Sequence, residues 1–351
     1  MNKEQMIELL HSRMKSCGYI YHVPMDICDT NSNTLYIGSS TNTYLEEIQN
    51  KTLCNKMYTI QPCLKTQNLK HYDYILSNKV AGIYKSFFDM FGTMKHGKLN
   101  NNDLKDFFQI LVEIFQFSSK ELVVIIPKSK ENFKNYIINE LNIKKVKIVS
   151  EKRFTKWKYG VSGLTGTAIV IYSIYNNALV QLLDIVEIYN ERSNEFYVEC
   201  CFAIDNMRIK NREYDMWYDL YEVDVNELNN YEFVFWDSLV VTCELFSEGI
   251  TLPNWKENYQ RSHIFKRYIK YMLACNEKIM NTDEQIYQYI QKFLVKKGVY
   301  EKTKYIELAN IIKKVRKNML VSQKCFKKYY STHLDEEPNE LKQKYGIIEI
   351  K

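Results

Sequence analysis

Apolar residues recur at helical spacing near the start of the chain, where Met6, Leu9, Leu10 and Met14 mark one face of a helix over 5–16. The period then changes. Residues 57–64 and 86–94 read as two strands of one hairpin, and 121–126 (ELVVII) as a buried strand closed by Pro127. Between them Leu104, Phe107, Phe108, Leu111, Ile114 and Phe115 share a face and predict an amphipathic helix over 102–117. A helix over 131–141 and a strand over 145–150 follow. Three β-rich runs come next, at 168–175, 179–189 and 195–204, the last two joined by a turn at Asn190-Glu191-Arg192-Ser193-Asn194. From Tyr231 the strand period gives way to helical periodicity over 233–245, 261–278, 283–297 and 304–328. Gly298 is placed to end the third of these in a left-handed turn. Thr332 to Lys351 is polar, contains Pro338, and is expected to be loosely ordered. The natural division is an α+β front, 1–230, and a helical rear, 231–351.

Charge sharpens that division. The chain of 351 residues carries a net charge of +6, yet 261–328 alone holds 17 Lys and Arg against 5 Asp and Glu. The rear is strongly basic and the front mildly acidic. Such a surface suits a polyanion or an acidic carrier protein, although a solvated face is the plainer explanation of Lys-rich helices. No apolar run reaches the length that spans a bilayer. The first residues lack the basic and apolar regions of a signal peptide, so a cytoplasmic protein is expected. Nine cysteines without a CxxC pair fit reduced thiols rather than a disulfide framework. Cys200 and Cys201 lie in a strand-like run and should alternate between the two faces of a sheet.

Residues that can carry chemistry fall in five segments. The first holds Gln61-Pro62-Cys63-Leu64-Lys65, then Lys70-His71, then Ser86-Phe87-Phe88-Asp89-Met90-Phe91-Gly92. The second runs from Trp157 to Gly166 and includes Gly160 and Gly163. Glycines there let backbone N–H groups approach a carboxylate or phosphate, and equally make a turn before a strand. The third, Gln181 to Ile188, places Asp184 in a strand. The fourth is Ile204-Asp205-Asn206-Met207-Arg208-Ile209-Lys210-Asn211-Arg212. The fifth holds Trp236-Asp237-Ser238, Phe246 to Ile250, and Arg261 to Arg267.

In this order the five segments resemble the catalytic domain of the alanyl-tRNA synthetase family of class II aminoacyl-tRNA synthetases. Members of that family read QxCxR, KH and FFEMLGNF, then FWxMGxTGPCGPC, EIWNIVFMQFNR, VDTGMGLER and ADHIR…RGYVLRR. The resemblance covers most of residues 1 to about 270 by motif order. It implies an α+β fold, a class II synthetase-like antiparallel sheet flanked by helices and followed by a short helical domain in the tRNA-binding position. No match to the family's deeper tRNA-reading positions or its editing domain is found.

The resemblance also assigns roles. Lys65 stands where the family has a phosphate-binding arginine, and Lys70 and His71 fall on the pair near the phosphates. Phe88, or Phe87, is placed to stack on adenine, and Met90 lies at the adenine edge. Trp157 and Gly163 would bound the amino-acid pocket. Asp184 replaces the asparagine that holds the substrate amino group, and Asp205 matches the acid that binds its ammonium. Arg212 matches the arginine that stacks on adenine and neutralises phosphates. The implied cofactors are ATP and Mg2+, with no ligand identified for the metal. The implied reaction is adenylation of alanine or another small amino acid, then transfer to tRNA or to a carrier protein, peptide or small molecule.

Three departures stand against that chemistry. Lys65 keeps a charge but loses the bidentate fork of arginine; deleting a comparable donor costs roughly 10²–10³ in rate, and a lysine should cost less. Met207 and Ile209 replace both glycines of the fourth motif. Leu164, Thr165, Thr167 and Ala168 replace the Pro and Cys residues of the second. Two functions therefore stay open: an adenylate-forming ligase, and a pseudo-synthetase that binds RNA or regulates a partner.

Overall fold

The computed structural model describes residues 3–29, 34–53, 55–78, 85–151, 155–158, 163–175, 178–210, 220–221, 223, 227–252, 259–331, 342 and 347–348. The chain divides into two compact units. One comprises Met1–Cys63 and Phe88–Met216, the other Leu64–Phe87 and Trp217–Lys351.

The first unit is built on a sheet of nine strands among the described residues: β1 (Ile20–Tyr21), β2 (Met57–Leu64), β3 (Phe87–His96), β4 (Leu122–Pro127), β5 (Lys145–Val149), β6 (Lys156–Lys158), β7 (Leu164–Tyr175), β8 (Ala178–Asn190) and β9 (Glu195–Ala203). Their order is β1-β2-β3-β9-β8-β7-β4-β5, with β6 pairing on β7. The pairs from β3 through β9, β8 and β7 to β4 are antiparallel. The outer pairs β1–β2 and β4–β5 are parallel. The expected sheet with flanking helices is thus present. The segment between β2 and β3 is not a simple hairpin loop, because it contains a helix, α3 (Asn68–Asn78).

Alternation along the strands gives the sheet two apolar faces. Phe91, Cys200, Phe202, Leu183, Ile185, Ile169 and Ile171 pack with Met6, Leu10 and Met14 of α1 (Lys3–Ser16) and with Leu104, Phe107 and Phe108 of α4 (Asn101–Gln109). α4 starts at a capping box in which Asn100 accepts from the Asn102 and Asp103 amides while Asp103 accepts from the Asn100 amide. Its apolar face continues through a π turn at 110–114. Met94, Tyr197, Val186, Ile188, Ala168 and Val170 point the other way and meet Tyr44, Leu53 and Ile48 of α2 (Leu45–Asn50). Cys200 and Cys201 do alternate: Cys200 joins the first cluster, Cys201 a third with Ile37, Cys63, Phe88 and Met90. The predicted helix over 131–141 is a 3-10 turn at 128–133 followed by α5 (Lys134–Asn139).

The second unit is helical. Besides α3 it contains α6 (Asn230–Ser247), α7 (Tyr259–Ile279), α8 (Asp283–Lys296) and α9 (Lys302–Tyr330). α6 is apolar on nearly every side and is buried from Phe233 to Phe246, as a helix enclosed by others must be. α8 starts at a Thr282–Gln285 capping box. Gly298, at φ +80°, closes the turn after it as the sequence predicts. α9 buries Tyr305, Leu308, Ile312, Val315 and Met319 at alternating spacings of three and four, leaving its lysines outside.

Candidate functional site

Asp205 was expected to hold a substrate ammonium; in the structure it holds one that belongs to the chain. It follows β9, in a 3-10 turn at 204–209, and its side chain is fully buried. Lys3, in the first turn of α1, donates from Nζ to Asp205 Oδ1 at 3.0 Å. The same Nζ lies 2.9 Å from Asp89 Oδ2. Asp205 Oδ2 accepts from the Asp89 backbone amide at 3.0 Å. Lys3 itself is only 2% exposed. Two carboxylates and one ammonium taken out of water together are stable only when paired in this way.

Asp184 is in β8, opposite Cys201. It therefore shares the face of Cys201 and Met90, whereas Asp205 is turned to α1 on the other face. The two carboxylates expected to share one amino group are not brought together. Asp184 is half-buried, and both its oxygens accept from Gln181 Nε2, at 2.8 and 2.7 Å. Gly163 has φ +71°, a conformation that suits glycine. Its carbonyl accepts from the Glu191 amide, and Arg192 lies 3.6 Å from where a Cβ would stand. It serves the packing of the β8–β9 turn against β7. Trp157 pairs through its backbone with Gly166.

Phe88 and Met90 present no open face to a purine. They are 5% and 7% exposed and pack with Ile37, Cys63 and Cys201, with Met25 and Ala203 beside them. The segment over them is clamped by Gln61. Its Oε1 accepts from the Met25 amide and Thr43 Oγ1, while its Nε2 donates to the Met25 carbonyl. A second clamp lies further along, where Ser40 and Thr41 donate to buried Glu199 at 3.0 and 2.7 Å. Gly92 makes room for this contact, since a Cβ there would lie 2.1 Å from Ser40 Oγ.

Lys65, Lys70 and His71 belong to the second unit and are exposed. The Lys65 amide donates to the Ser86 carbonyl at 2.8 Å. Ser86 is fixed in turn by Asp237 of α6, which accepts from the Ser86 amide, the Ser86 hydroxyl and the Tyr72 hydroxyl. Burial raises the Asp237 pKa, and those hydrogen bonds oppose the rise. Arg212, expected beside a nucleotide, lies outside the described residues. Among the described residues no cluster of three or more His, Cys, Asp or Glu side chains is arranged to hold a metal. No described helix is long and apolar enough to cross a membrane.

The reading of the sequence missed Lys3, although a signal was present. Lys3 falls on the same helical stripe as Met6, Leu10 and Met14, and a charge on an apolar stripe calls for a buried partner. Asp89, Glu199 and the Ser86–Asp237 contact join residues far apart in sequence and left no local signal.

No protein-family model and no curated protein matches the chain. Among solved structures, the apo crystal structure of S. aureus histidyl-tRNA synthetase is similar with a TM-score of 0.40 at 13% sequence identity, over 59% of this chain. The chain spans 65% of the length of that synthetase.

Proposed function

We propose that this chain is a class II synthetase-like protein whose amino-acid site is closed from within, and that it works as an RNA-binding or regulatory subunit rather than as a ligase. The observation that carries this is Lys3. Its ammonium occupies the carboxylate that the family resemblance assigns to the substrate ammonium. The buried Phe88 and Met90 add to it, as do the missing glycines at Met207 and Ile209. The burial of Phe88 and Met90 speaks against an adenine stacked at this face. The order of motifs supports the family likeness, and the basic helical unit supports a polyanionic partner.

A second reading is favoured by Asp184, which stays half-buried on the face of the sheet away from α1. In it the chain is an alanyl-tRNA synthetase-like ligase that activates alanine or another small amino acid with ATP and Mg2+. Substrate binding would displace Lys3. Lys65 and Arg212 would meet the phosphates, and tRNA or a carrier protein would accept the aminoacyl group. Amino-acid-dependent ATP–pyrophosphate exchange across the common amino acids separates the two. The closed-site reading expects no exchange and no thermal shift with ATP and Mg2+. Exchange with a single small amino acid would overturn it in favour of the ligase.

A further inference from the structure

The basic character of the helical unit is not uniform. On α9 the lysines at 313, 314, 317, 324, 327 and 328 are exposed, and hydration accounts for them. On α7 the charges are arranged differently. His263, Lys266, Arg267 and Lys270 lie at i, i+3, i+4 and i+7, on one face of the helix. The opposite face, Phe265, Tyr268, Ile269 and Met272, is buried. Lys266, Arg267 and Lys270 are only half-exposed, so their charges stand close together at the surface with their stems packed down.

These groups act on one another. Burial lowers the Lys270 pKa first, and Lys266 and Arg267 lower it further. The same neighbours, with Lys270, add to the lowering that burial imposes on His263. Like charges at this spacing disfavour a helix. Arg267 lies one helical turn before Tyr271, whose hydroxyl donates to Asp73 of α3 at 2.9 Å. A guanidinium set between two lysines at the helix surface suits an anion that arrives from outside.

We propose that His263, Lys266, Arg267 and Lys270 form a phosphate-contacting stripe that seats the sugar–phosphate backbone of an RNA strand. The proposal rests on the reading of the chain as an RNA-binding protein and names where the strand lies. From His263 to Lys270 the helix advances about 10.5 Å, long enough for the stripe to meet more than one phosphate of a strand. Arg267 offers the planar fork that matches phosphate oxygens. Contact with the backbone alone gives affinity without sequence preference.

The test compares two triple variants of equal charge in the full chain: Lys266→Gln/Arg267→Gln/Lys270→Gln on α7, and Lys313→Gln/Lys314→Gln/Lys317→Gln on α9. Binding of a fluorescein-labelled RNA hairpin is followed by anisotropy from 50 to 300 mM salt. The α7 variant should bind about 30-fold or more weakly at 100 mM salt, and its log–log salt slope should fall by about 2–3. The α9 variant should stay within about 5-fold of the wild type. Thermal unfolding of the α7 variant should be unchanged or raised, since repulsion is removed. The single variant Lys270→Gln, losing about 3–5-fold, guards against a misfolded triple. Equal losses from both triples would overturn the stripe. So would competition by polyglutamate as strong as by unlabelled RNA of equal charge. Binding that survives the α7 changes sinks the stripe alone; absence of RNA binding by the wild type sinks the RNA-binding reading with it.

Discussion

Replacing Lys3 by methionine keeps most of its volume and removes its charge. Asp205, fully buried, and Asp89 would then face each other without the ammonium that joins them. Breaking a buried pair by removing one partner costs about 3–5 kcal/mol. Unfolding entropy near 2.1 cal/mol/K per residue gives about 0.4 kcal/mol/K for a unit of roughly 190 residues, so the melting temperature of the sheet unit should fall by about 8–12 °C. Lys3→Met/Asp205→Asn removes both charges of the more deeply buried pair. It should recover about 2–3 kcal/mol of the loss, since an uncharged replacement is tolerated far better than a broken pair. Scanning calorimetry of the wild type, the two single variants and the double variant completes the cycle. A fall below about 2 °C for Lys3→Met, or a double variant whose loss equals the sum of the singles, would refute the argument that Lys3 is the internal counter-ion of Asp205. Lys3→Arg should not restore the wild type, because a guanidinium is larger than the space an ammonium fills.

Three further outcomes are expected. Asp237→Asn should lower urea-unfolding stability of the helical unit by about 3 kcal/mol, because an amide replaces the carboxylate that accepts from Ser86 and Tyr72; hydrogen exchange at the Ser86 amide should quicken. Gly92→Ala should cost about 1–3 kcal/mol by overpacking against Ser40, and Gly92→Ala/Ser40→Gly should regain part of it by calorimetry. His263 has its pKa lowered by burial and then by Arg267, Lys266 and Lys270. In the folded state it resists the proton that the unfolded chain takes up below the ordinary histidine value near 6.5. Its contribution is thus present above that pH and lost as pH falls toward the depressed folded value. Chemical unfolding at pH 7.5 and 5.5 should show His263→Gln losing less stability between the two than the wild type does.

Much of the architecture was legible in the chain. The period-two runs at 168–175, 179–189 and 195–204 became β7, β8 and β9, because alternation fixes which side of a strand meets a core. The helical periods after Tyr231 became α6 to α9, and Gly298 ended α8, because only glycine accepts that backbone angle freely. The motif order that suggested a family was likewise a property of the sequence alone. What the sequence did not decide is which groups meet. Asp184 and Asp205 looked like neighbours around one ligand, yet a strand places successive residues on opposite faces, and the register of β8 against β9 put Asp184 on one face while the turn after β9 sent Asp205 to the other. Phe88 and Met90 looked like a ligand wall and became core once Gln61 had pinned Met25 and Thr43 over their side of the sheet. Lys3 and Asp205 are separated by about two hundred residues, and only tertiary packing, which brings α1 against the end of β9, could make one the counter-ion of the other. Local pattern sets the elements, because it depends on neighbours along the chain. The occupancy of the site was set by long-range contacts, because a buried charge takes whichever partner the fold delivers.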